Sequence, residues 1–155
     1  MKFAQVVLFA VATLLALPAA AQSASDMQIL AQKIKADKKL VVAANMQLTE
    51  EEAKGFWPVY DAYQKDLAGI NKRLAGVIKN YADVYNKGTV TDEAAKKLMN
   101  NYLAVEDSEL KLRRSYVPRL EKVVPGVKVA RYLQIENKIR SIIRYELAAQ
   151  IPLVE

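Results

Sequence analysis

The side chains that could act on a substrate in this 155-residue chain are carboxylates, because it contains no histidine and no cysteine. Without those two residue types the usual Ser/His and Cys/His nucleophile pairings cannot form. Zinc, copper and nickel lose their commonest ligands for the same reason. Two acidic clusters remain, Glu50-Glu51-Glu52 and Glu106-Asp107-Glu109. The first stands at a helix start. The second lies among lysines and arginines, where solvated pairs such as Glu109 with Arg113 and Asp107 with Lys111 are the ordinary account of i, i+4 spacing. There is no glycine-rich phosphate loop. The expectation is a protein that is not an enzyme, with no catalytic residue, no metal site and no cofactor.

What remains is chemistry of binding. At 100° per residue, Val129, Tyr132, Leu133, Ile135, Ile139, Ile142, Ile143 and Leu147 cover one arc of a helix, and Glu136 falls inside it. A carboxylate so placed needs a cation, and a buried or half-buried ion pair with Arg113 or Arg114 of a neighbouring helix is expected to fix how the helices register. Lys128, Arg131 and Lys138 stand on one rim of that arc, Arg140 and Arg144 on the other. Such long stems can cover apolar surface with their charged ends in water, either as solvated flanks or as a surface for an anionic partner. Trp57 projects away from the apolar stripe of its own helix. It either packs on the first helix or offers a partner an apolar contact.

The elements that must position these groups are all helical. Phe56, Tyr60, Tyr63, Leu67, Ile70, Leu74, Val77, Tyr81 and Val84 recur at steps of four and three, which predicts one amphipathic helix about 45 Å long. Thr49 caps it, Glu52 completes a capping box, and Gly88 ends it. Pro58 inside it predicts a kink near Gly55 to Trp57. A helix from about Asp26 to Asn45 precedes it, with a break at Met46-Gln47-Leu48. Thr91 begins a third, whose stripe Leu98, Tyr102, Val105, Leu112, Tyr116 is flanked by Met99, Leu103, Leu110, Val117 and Leu120. That face is too wide for one partner helix and is expected to be buried on two sides. Pro118 repeats the placement of Pro58 after an aromatic residue, and two matching bends could curve the molecule. Pro125-Gly126 makes the last turn before a fourth helix from about Val127 to Ala149. The fold class is all-α, with about four helices and a long kinked central one.

Lys2, the apolar run from Val6 to Leu17 and the small residues Pro18-Ala19-Ala20-Ala21 have the form of an export signal, so residues 1–21 are expected to be removed and 22–155 to form a single helical domain in the periplasm. The apolar run is short of the ~20 residues that a membrane span requires. With no cysteine there is no disulfide, so helix packing must carry the stability. Residues 22–109 carry 12 basic and 13 acidic side chains, whereas residues 110–155 carry 10 and 4. The basic excess thus sits in the C-terminal third, and six of its ten cations are arginines. Nucleic acid is not an expected partner, because export removes the opportunity and no stacking aromatics interleave the basic run.

The helix start Leu48-Thr49-Glu50-Glu51-Glu52 and the segment Arg131-Tyr132-Leu133-Gln134-Ile135-Glu136 resemble the Spy/CpxP-like periplasmic proteins, named for an LTxxQ motif. Glu52 stands where that motif has glutamine, and Val124-Pro125-Gly126-Val127-Lys128 takes the place of its second copy. The resemblance implies a small all-α fold, a dimer shaped as a curved cradle, and a role in envelope stress as an ATP-independent chaperone or as the partner of a sensor protein. The metal-sensing relatives use histidines, which this chain lacks. The first expectation is a non-enzymatic protein that holds unfolded clients or a sensor protein by an apolar surface edged with Lys128, Arg131, Lys138, Arg140 and Arg144, with Trp57 as a further contact. The alternatives are an envelope adaptor that places its basic C-terminal helix on anionic lipid or lipopolysaccharide, and a structural module that forms a homodimer through the long helix.

Overall fold

The computed structural model describes residues 37–88 and 90–154. The expected export signal and the start of the first helix lie outside them. Among the described residues there are helices and no strands. The first helix, α1, is described over residues 37–46; α2 is Glu50–Tyr85, α3 is Asp92–Glu121 and α4 is Gly126–Gln150. The described residues form two compact units, one of Leu48–Val129 with Pro152–Glu155, the other joining Ala130–Ile151 to the segment that ends at Gln47.

In the first unit α2 and α3 are an antiparallel hairpin. The start of α2 is built as its sequence predicts. Thr49 Oγ1 accepts from the Glu52 amide at 3.3 Å, and the Thr49 amide donates to Glu52 Oε2 at 2.7 Å. Three glutamates then lie in the first turn, at the positive end of the helix dipole. The helix continues for 36 residues, about 54 Å, and passes Pro58 without interruption. Its buried side chains, Phe56, Tyr60, Tyr63, Leu67 and Leu74, follow the predicted stripe. Ile70, Val77, Tyr81 and Val84 of the same stripe are half-buried. Asn86 caps the end, and Gly88 at φ +80° supplies the left-handed residue of the turn. Thr91 accepts from the Ala94 amide at 3.3 Å and starts α3.

The two helices lock at three levels. At the base, a Cβ on Gly55 would stand 2.9 Å from Cβ of Val123, in the turn that follows α3, so only glycine allows this approach. Midway, the Tyr63 and Tyr116 rings meet edge to face at 5.2 Å, and the Tyr116 hydroxyl donates to Asp66 Oδ2 at 2.6 Å. Further along, Arg73 Nη2 donates to the Ala104 carbonyl at 3.2 Å and to Ser108 Oγ at 2.8 Å. Near the end of α2 the Tyr81 hydroxyl donates to the Pro152 carbonyl at 2.9 Å, tying down the C-terminal segment.

The expected two-sided burial of α3 does not occur. Its buried line is Val105, Glu109, Tyr116 and Leu120, whereas Met99, Tyr102, Leu103 and Leu110 are exposed. A hairpin supplies each helix with one packed face, and the second stripe of α3 points about 100° away from it. The same geometry corrects Glu109: it lies four residues after Val105 and seven before Tyr116, and is buried rather than solvated.

In the second unit α1 runs antiparallel to α4, with Val42 and Met46 buried on one and Tyr132 and Glu136 on the other. Gln47 ends α1 in the left-handed region at φ +50°, and its Oε1 accepts from Arg131 Nη1 at 2.9 Å.

Candidate protein-interaction surface

The sequence-predicted residues are mostly held by the fold. Glu136 is buried, as its place on the helix arc requires, and does form an ion pair with a neighbouring helix. The cation is not Arg113 or Arg114 but Lys38 of α1, whose Nζ lies 2.8 Å from Glu136 Oε2. The antiparallel packing that puts Gln47 beside Arg131 also sets Lys38, earlier on α1, against Glu136, later on α4. Arg113 and Arg114 belong to α3, the first half-buried and the second exposed. Lys128 is likewise occupied: its Nζ pairs with Glu52 Oε2, the oxygen that also accepts from the Thr49 amide. These two contacts, the Lys128 hydrogen bond first, hold the Glu52 carboxyl below its ordinary range.

Arg131 is tied to Gln47, Arg140 and Arg144 are half-buried, and Lys138 is exposed. The cationic rim is therefore partly internal. Trp57 is half-buried and meets Phe56 and Tyr60 of its own helix edge to face at 5.1 and 5.3 Å. Tyr116, at the centre of the hairpin, has its hydroxyl held above the ordinary tyrosine range, first by burial and then by its bond to Asp66. The Arg119 guanidinium lies 4.1 Å over its ring.

Among the described residues no group of acidic, histidine or cysteine side chains could hold a metal ion, and no helix is long and apolar enough to cross a membrane. The feature that stands out is apolar. Met99, Leu103 and Leu110 are 55, 53 and 41% exposed, and their spacing of four and seven puts them within about 40° of arc on α3. Tyr102, 42% exposed, flanks them on the core side, and half-buried Val117 continues the row. Single exposed apolar side chains are common on protein surfaces, whereas these three share one face of α3, with Glu106 and Asp107 at the turn between Leu103 and Leu110.

These residues were visible in the sequence as part of an unusually wide apolar face. Their role as an open surface was not, because width alone does not separate a helix covered twice from one covered once. The strip has charged neighbours, with Glu106 and Asp107 before Leu110 and Arg113 and Arg114 after it. No family model matches the chain, and no curated protein or solved structure is similar enough to it to count as a match.

Proposed function

We propose that this protein is an exported, non-enzymatic binder of polypeptide, a chaperone-like protein of the envelope that works by reversible shielding without nucleotide. The observation that carries this reading is the exposed row Met99, Leu103, Leu110 on α3. An apolar strip edged by charges of both signs suits a partly unfolded chain: the strip takes apolar side chains from water, and the charges raise the encounter rate and keep the surface soluble. The resemblance to Spy/CpxP-like proteins points the same way. The client surface moves, however, from the basic rim of α4, where Lys128 and Arg131 have internal partners, to α3.

The test is suppression of aggregation of an unrelated unfolding protein, followed by light scattering. Leu103→Ser with Leu110→Ser removes the strip from exposed positions, where substitutions usually change stability by no more than about 0.5 kcal/mol. Val127→Ser, at a 75% exposed apolar position elsewhere, is the control. The unaltered protein and the control are expected to suppress scattering and the double variant to lose most of that effect. Equal suppression by the double variant, or none by any form, overturns the reading. Cosedimentation with anionic vesicles in the absence of suppression supports the lipid-adaptor alternative instead.

A further inference from the structure

We propose that Met99 is an oxidation site, at which a peroxide turns the apolar row of α3 polar and so closes it to clients until the sulfur is reduced again. The chain has no cysteine, so no thiol competes for a two-electron oxidant, and the polarizable thioethers of its four methionines are the softest nucleophiles it has. Two of the four lie among the described residues. Met46 of α1 is 0% exposed, whereas Met99 of α3 is 55% exposed, so a dissolved oxidant reaches one sulfur of the folded protein and not the other.

Position gives the modification its consequence. Tyr102 and Leu103 follow Met99 by three and four residues, which sets all three side by side on α3, and each is exposed. Together they make the end of the row that precedes Glu106 and Asp107. In the reaction with hydrogen peroxide the sulfur lone pair attacks one oxygen and an S–O bond forms as the O–O bond breaks. The sulfur is oxidised by two electrons, and the departing hydroxide takes the proton of the transferred oxygen and leaves as water. The sulfoxide presents a strong hydrogen-bond acceptor where the thioether was apolar. In the free protein water satisfies that acceptor, but an apolar client side chain laid over it would leave it unpaired. A dithiol acting through a methionine sulfoxide reductase restores the thioether, with the oxygen leaving as water and the dithiol as a disulfide. The effect on clients rests on the client-binding reading of this surface; the selective oxidation does not.

The test treats the folded protein with dilute hydrogen peroxide, maps the added oxygen by mass spectrometry of proteolytic peptides, and reads client holding by light scattering. Met99 is expected to gain its oxygen about tenfold or more faster than Met46, with helix content by circular dichroism unchanged. The oxidised protein is expected to hold an unfolding client about threefold or more weakly, and treatment with reductase and dithiothreitol to restore it. Met99→Leu keeps the surface apolar without a sulfur, so it is expected to hold the client equally well before and after peroxide. Met99→Gln is polar without any oxidant and is expected to hold it weakly throughout. Equal rates at Met99 and Met46 overturn the site. Undiminished holding by protein fully oxidised at Met99, or an equal loss in Met99→Leu, overturns the switch. Failure of the client reading shows separately, because the unoxidised chain then suppresses no scattering, while the selectivity for Met99 is still decided by the peptide masses.

Discussion

Glu52 shows how one oxygen can serve two levels of structure. Its Oε2 accepts from the Thr49 amide, which closes the cap of α2, and from Lys128, which holds the start of α4 to that cap. The carboxyl is held below its ordinary value of 4.5, and a depressed carboxylate stabilises the folded chain fully above that value and loses its contribution as pH falls through the folded one. Glu52→Gln keeps an oxygen for the Thr49 amide and removes the charge, so acid unfolding as pH falls below the ordinary value of 4.5 is expected to become less steep in the variant, with the cap retained. Melting temperature against pH measures this, and identical acid limbs for the two proteins contradict it. The cap was legible in the sequence because its partners are three residues apart. The Lys128 contact, between residues 76 apart, was not.

At the scale of elements, the base of the α2 and α3 hairpin depends on a close approach of α2 to the turn after α3 that helix propensity opposes. Glycine within a helix costs about 0.5–1 kcal/mol relative to alanine, so Gly55→Ala at an open position would stabilise. Here the new methyl group meets Cβ and Cγ1 of Val123 at 2.9 and 3.0 Å, and Cβ cannot swing aside by a change of rotamer. Gly55→Ala is expected to lower the melting temperature, and Val123→Ala in that background to recover part of the loss, a coupling read by a double-mutant cycle. Stabilisation by Gly55→Ala alone would show that the approach is looser than described. Helix extents were legible because stripe and caps agree: Thr49, Thr91 and Pro125-Gly126 begin or precede helices where expected. Side-chain partners across helices were not, because periodicity gives a face and leaves the register open. Glu136 was recognised as a buried carboxylate in need of a cation, and Lys38, 98 residues away, supplies it.

On the scale of the whole molecule, the basic excess of the C-terminal third suggested a cationic surface on α4. The fold instead turns Lys128 and Arg131 inward and leaves the apolar strip of α3 in water. That strip is the basis of the client-binding proposal, so its accessibility is the quantity on which it depends. The chain has no cysteine, so Leu110→Cys introduces a single thiol whose reaction with a maleimide reports that position alone, with Lys87→Cys in the exposed turn after α2 as reference. In dilute protein the thiol at position 110 should react within a few-fold of the reference, and an added unfolded polypeptide should slow it while leaving the reference unchanged. Strong protection at position 110 in the dilute free protein, or no protection by the polypeptide, would contradict an open docking strip on α3.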